Sequence, residues 1–134
     1  MRGTLTGSVI VVAGALLACR AKLDGNITVD GKSFEADACR SGEAFLPKFS
    51  GVDFTNKSND RLRFQVLDTG ELQVALFPGG AETGPVIGVG CGTLTMKRQN
   101  SKVNDIENIE GTISATCSGN GHEVKATVNF KNCH

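Results

Sequence analysis

The chain of 134 residues contains no tryptophan and no tyrosine, and its seven aromatic side chains are all phenylalanine. Tryptophan and tyrosine join an apolar face to a hydrogen-bonding tip, so their absence removes the platforms that stack on sugars and anchor many interfaces. Carbohydrate binding is disfavoured on that ground. Histidine is scarce: His122 follows Gly121 in a glycine turn, and His134 is the last residue. General acid–base work near neutral pH therefore has few candidates. Neither sign of charge is in surplus, with 14 basic against 14 acidic residues, so no field draws the chain to nucleic acid. The densest basic spots, Arg61 with Arg63 and Lys97 with Arg98, read as solvated strand faces. Also missing is an apolar run of the roughly 20 residues that a helix needs to cross hydrocarbon. The longest apolar stretch, residues 5–17, stops well short of that.

That stretch has an order of its own. Arg2 provides a positive head, Ser8 to Leu17 is apolar or small throughout, and Leu16-Leu17-Ala18-Cys19 closes it. Charge, apolar core and small residues at a cut site make a secretory signal peptide. The closing four residues resemble the lipobox of bacterial lipoproteins. In that family the cysteine thiol receives a diacylglycerol, the peptide is cut before it, and the new amino group is usually acylated. The resemblance implies a signal peptide over 1–18 and a lipid anchor and short linker over 19–25 that begins at Cys19; the remainder, 26–134, reads as a β domain from its own patterning. The resemblance also implies a place in the cell envelope. With Arg20 rather than Asp following the cysteine, the outer membrane is implied if the source is Gram-negative. The mature chain would have 134 − 18 = 116 residues and a formal charge of 13 − 14 = −1. That length suffices for one domain with a modest core.

Assigning Cys19 to lipid leaves Cys39, Cys91, Cys117 and Cys133. Four cysteines in an exported small domain read as two disulfides with three possible connectivities. Zinc would call for paired C-x₂-C or H-x₃-H spacings, which do not occur.

Beyond the anchor the signals are almost all β. Ile27-Thr28-Val29 leads into Asp30-Gly31, a favoured hairpin turn. Leu62, Phe64 and Val66 share one face of an alternating segment, and Leu72, Val74 and Leu76 share one face of the next. Period-two patterning of this kind marks strands with one buried face. Residues 41–60 read as a loop with a short strand near Val52–Thr55, and Gln99–Glu107 as a polar loop. Val86–Lys97 reads as one strand that changes phase at Gly92, the signature of a β-bulge. Val124, Ala126, Val128 and Phe130 line a last buried face. Seven or eight short strands in this order predict an all-β fold. It would be a single antiparallel, meander-type β-sandwich or flattened barrel stabilised by disulfides.

A hairpin of residues 86–98 with 111–118, bulged at Gly92, sets Leu94 opposite Ala115, Met96 opposite Ile113 and Cys91 opposite Cys117. Cys117 and Cys133 fall at opposite ends of the last hairpin, whereas bridged Cα atoms lie about 4.4–6.8 Å apart. The preferred bridges are therefore Cys91–Cys117 and Cys39–Cys133. Ile27-Thr28-Val29-Asp30-Gly31-Lys32, Cys39 and the closing Val128-x-Phe130-x-x-Cys133 together resemble the mycobacterial lipoprotein antigen family. That resemblance implies a surface lipoprotein of a family without an established catalytic activity. The chain departs from the family in lacking a long Ser/Thr-rich linker and in having Cys91 and Cys117.

Groups that could do chemistry are scattered. Gly79–Gly84 has the glycines of a phosphate loop, but Pro85-Val86 stands where Lys-Ser/Thr is required. Gly88-x-Gly90-x-Gly92 lacks the spacing of a dinucleotide fingerprint, and no G-x-S-x-G elbow occurs. Asp105, Glu107 and Glu110 form the densest acidic spot, read as solvated loop charge without calcium-loop spacing. A catalytic constellation, if the fold assembled one, would centre on His122 with Asp105 or Glu107. The expectation is no catalytic site, no cofactor and no metal. The chain reads as a lipid-anchored envelope or surface lipoprotein acting as a non-catalytic interaction or structural module. Its partners would be the membrane, through lipid on Cys19, and an envelope protein. The alternative is an inhibitor of an envelope hydrolase such as lysozyme.

Overall fold

The alternation of apolar and polar side chains is realised in ten antiparallel strands. The computed structural model describes residues 21–134; Cys19 and the signal-peptide assignment lie outside the described residues. The strands are β1 (Lys22–Val29), β2 (Lys32–Ser33), β3 (Ala38–Ser41), β4 (Gly51–Thr55), β5 (Arg61–Val66), β6 (Leu72–Phe77), β7 (Val86–Val89), β8 (Gly92–Val103), β9 (Ile106–Gly119) and β10 (His122–Cys133). They form two five-stranded sheets, ordered β2-β1-β10-β9-β8 and β3-β4-β5-β6-β7. Neither sheet closes on itself, so the fold is a β-sandwich and not a barrel.

The inner faces carry the residues that the alternation points inward. Val52, Phe54, Leu62, Phe64 and Val74 of the second sheet meet Ile113, Val124, Val128 and Phe130 of the first, all buried. The Phe54 ring stands edge-on to Phe64 and Phe130, with centroids 5.7 and 5.9 Å away, an arrangement that suits the ring quadrupoles. Both edges of the second sheet, β3 and β7, pack on the same central pair, β9 and β10. Its strands therefore cross those of the first sheet. Each disulfide ties one edge to that pair. Cys39 of β3 is bonded to Cys133 at the end of β10, and Cys91, just after β7, to Cys117 of β9.

Three local expectations are corrected. Val86–Lys97 is not one bulged strand: β7 lies in the second sheet and β8 in the first. The chain crosses between them at Gly90-Cys91, where Gly90 has φ 74°. A left-handed residue there turns the backbone out of one sheet toward the other, and glycine adopts it without a Cβ clash. A single strand changing phase and two strands changing sheets leave the same mark in sequence. The pairing is accordingly two residues away from the expected one, with Leu94 opposite Ile113, Met96 opposite Gly111 and Gly92 opposite Ala115.

Gln99–Glu107 is not a loop. β8 and β9 continue as a polar hairpin through Lys102–Glu107, turning at Asn104 and Asp105, both at positive φ. Such a primed two-residue turn matches strand twist. The hairpin outruns β10, whose last partner on β9 is Ile109. With no core beneath it, it shows no apolar alternation. Finally, the first strand does not wait for Ile27. Lys22–Gly25 already pairs with Val128–Lys131 of β10, a contact made across the whole chain and invisible to a local reading.

Candidate functional site

The outer face of the first sheet carries a run of polar and charged side chains across four strands. Side chains of opposite parity to the core stand on four adjacent strands: Asp24 on β1, Asn129 on β10, Thr112 on β9 and Thr95 on β8 occupy one cross-strand row. Beside that row stand Lys22 and Lys131, directly paired, with Glu110 and Lys97, also paired. These rows line an open cleft of about 600 Å³. Gly111, of inward parity, also lines it; a Cβ there would meet the Thr95 carbonyl oxygen at 2.1 Å and Phe130 Cζ at 2.8 Å. Only glycine lets β8 and the Phe130 ring approach so closely there.

The cleft contains ammonium, carboxylate, hydroxyl and amide groups. Lys97 Nζ is 3.4 Å from Glu110 Oε1, and Thr112 Oγ1 donates to Asn129 Oδ1 at 2.8 Å. Like charges directly opposite one another repel, so the adjacent Lys22 and Lys131 favour an acidic group laid across them. A surface of this kind can form many hydrogen bonds to a partner. None of its lining residues is a histidine, cysteine or serine.

The outer face of the second sheet is covered. Asp53 is 1 % exposed, although its alternation points it away from the core. Arg63 grips it with two hydrogen bonds, Nε to Oδ1 at 2.9 Å and Nη2 to Oδ2 at 3.0 Å, and Arg61 Nη1 adds a third at 3.2 Å. The loop after β3 folds over these guanidinium groups. Arg63 lies 4.0 Å from the Phe49 ring centre and 5.0 Å from that of Phe45, and Arg61 lies 4.8 Å from that of Phe77. Such stacking is favourable because the ring faces are electron-rich. Arg61 and Arg63 are thus not a solvated strand face; they form a small polar–aromatic core roofed by residues 42–50.

No family model, no curated protein and no solved structure matches the chain. Geometry and chemistry alone bear on the role of each residue.

His122 and the loop carboxylates are not brought together. His122 starts β10 beside the β1–β2 turn, where its Nδ1 donates to Asp30 Oδ2 at 2.8 Å. Asp105 and Glu107 stand at the opposite end of β9, and Glu107 is 3.4 Å from Arg98. Spacing cannot show which turns share an end of a sandwich, so it does not single out Asp30 as the partner. His134 is not a frayed end: its Nδ1 donates to the buried Asn108 Oδ1 at 2.8 Å, while Asn108 Nδ2 donates to Ser101 Oγ at 2.8 Å. Among the described residues no three His, Cys, Asp or Glu side chains converge on a metal-sized site.

The Asp30 carboxyl lies below its ordinary value of 3.8, chiefly through the His122 hydrogen bond and then through the Glu123 backbone N–H. A carboxyl depressed in the folded state stabilises the fold above its unfolded value, and this stability is lost as pH falls through the folded value. Asp30→Asn is therefore expected to weaken the domain at neutral pH, with the gap from the parent closing below pH 3.8. Urea midpoints of both proteins across the acid range check this; a gap that stays constant with pH would contradict it.

Proposed function

We propose that the chain is a lipid-anchored envelope or surface lipoprotein whose β-sandwich acts as a non-catalytic interaction or structural module. The observation that carries the reading is the junction of two features. A lipobox-like Leu16-Leu17-Ala18-Cys19 ends the apolar leader, and the first strand starts at Lys22, only three residues after the cysteine. Lipid on Cys19 would hold the sandwich close against the bilayer. Two acyl chains make such an anchor stable where one would be marginal, at about 0.8 kcal/mol per buried CH₂. The polar cleft on the first sheet supports the interaction role, because it offers paired and unpaired charges on four hydrogen-bonded strands. An acidic segment of an envelope protein is the partner class that its Lys22–Lys131 pair suits.

Cys19→Ala is expected to leave an uncut precursor that takes up no labelled fatty acid, measured by metabolic labelling and gel mobility. Unchanged labelling would refute the anchor. For the partner, the lipidated protein is captured from solubilised envelopes beside a Lys22→Glu/Lys131→Glu variant. A partner lost with the variant supports the module reading, whereas one stoichiometric hydrolase inhibited on binding favours the inhibitor reading.

A further inference from the structure

Leu46 is 93 % exposed, against 37 % and 47 % for Val86 and Val89, the other exposed large apolar side chains among the described residues. Single exposed leucines are common and by themselves carry no message. The loop that presents this one is built, however. Phe45 on its N-terminal side lies within 5.0 Å of both Arg40 and Arg63, and Phe49 lies 4.0 Å from Arg63. The Phe45 and Phe49 backbone N–H groups both donate to the Gly42 carbonyl. Phe45 and Phe49 thus turn inward and hold the segment, while Leu46 between them turns out to solvent. Lys48, two residues further on, is also exposed.

Where the loop lies matters more. Ala21, Arg40, Ala44, Val103, Ile106 and His134 line one cleft at the end of the sandwich where β1 begins. Chain geometry puts Cys19 no more than about 7 Å from Ala21, and Leu46 no more than about 7 Å from Ala44. The loop that carries Leu46 therefore starts at the end from which the chain leaves toward Cys19, and from there covers the outer face of the second sheet. Lys22 and Lys48 put basic charge at that end, beside Asp37 of the same cleft. An apolar side chain beside lysines, next to an acylated residue, is the composition of a surface that seats in the headgroup region.

We infer that the loop of residues 42–50 is a second membrane contact, with Leu46 entering the bilayer interface and Lys48 meeting anionic headgroups. The inference rests on the lipid-anchor reading. A domain held only through Cys19 would swing about its short leader, whereas two contacts fix one orientation. The β9–β10 turn and the far part of the polar cleft then face away from the membrane.

The absence of tryptophan makes the test direct. Leu46→Trp and Val89→Trp each introduce a sole tryptophan, Val89 lying on β7 toward the opposite end of β9 and β10. Each full-length variant is matured in a lipoprotein-processing host and reconstituted in vesicles of phosphatidylcholine and phosphatidylglycerol containing brominated lipid. The indole of the Leu46→Trp variant is expected to shift its emission to shorter wavelength and to be quenched about twofold or more. The indole of the Val89→Trp variant should be little affected. Adding Lys48→Glu to the Leu46→Trp variant should reduce the quenching in anionic vesicles more than in neutral ones. Acylated, vesicle-bound protein in which both variants are quenched equally little would overturn the loop contact while leaving the anchor intact. A blue shift that grows with protein concentration without bromine quenching would overturn it in favour of contact with a second copy. Protein that neither carries lipid nor floats with vesicles would refute the anchor reading itself and this inference with it.

Discussion

Replacing Cys39 and Cys133 together with alanine is expected to cost the domain about 4–5 kcal/mol on the chain-entropy account of cross-links. The bridge joins residues 94 apart, nearly the whole described chain, so cutting it releases most of the constraint on the unfolded state. The Cys91–Cys117 bridge spans 26 residues, and its removal should cost about 3–4 kcal/mol on the same account. A domain of this size is stable by roughly 5–15 kcal/mol, so the first variant would stand near the edge of unfolding. Position reinforces length: the longer bridge ties β3, an edge strand, to the last residues of β10, beside the polar hairpin that has no core of its own. Urea unfolding of the two double variants against the parent gives the comparison. If losing Cys91–Cys117 cost more, local packing around Gly88, whose Cβ would lie 2.8 Å from Cys91 Sγ, would outweigh loop length.

Asp53→Ala is expected to cost about 3–5 kcal/mol, the range for removing one partner of a buried ion pair. The loss should fall toward the lower end, because Arg61 and Arg63 keep 22 % and 19 % of their side-chain surface exposed and can regain water. Without the carboxylate, two guanidinium groups on neighbouring positions of β5 repel each other beneath the aromatic roof. The loop over 42–50 should loosen first, which hydrogen exchange at the Phe45 and Phe49 amides would register before global unfolding. Arg63→Lys provides the contrast: it keeps the charge but loses the two-pronged grip and the flat face against Phe49, and is expected to free the loop with a smaller global loss. A stability change under about 1 kcal/mol for Asp53→Ala would mean that the cluster is not what holds the roof down.

Much of the sandwich was legible because period-two patterning is a local property. Leu62, Phe64, Leu72, Val74 and Leu76 could be set on the core side from their spacing alone, and so could Val124, Ala126, Val128 and Phe130, whereas Val66 at the end of β5 is only half-buried. Strands with little or no core beneath them were not legible. The β8–β9 hairpin beyond Arg98 is held by backbone pairing across its own turn, and the start of β1 by pairing with β10 far along the chain; neither leaves an alternation long enough to read. Asp53 carries a signal that spacing alone does not resolve. It interrupts an apolar strand, shares the outward parity of Arg61 and Arg63, and stands near Phe45 and Phe49, which no strand pattern uses. Charge on an outward face looks solvated until something is known to cover it.

By itself, then, the order of residues determined the class of fold, the inward faces of the main strands and the sharing of four cysteines between two bridges. These follow from alternation, turn chemistry and an even count, all of which act over a few residues or on the whole composition. The tertiary structure alone decided that the chain changes sheets at Gly90 and that His122 meets Asp30 rather than Asp105 or Glu107. It alone made the Arg61–Arg63 face a covered core, and set Ala21 and the start of the Leu46 loop at one end of the molecule. Each of these depends on which distant turns and edges two crossing sheets bring together, and that is a property of packing which no local spacing records.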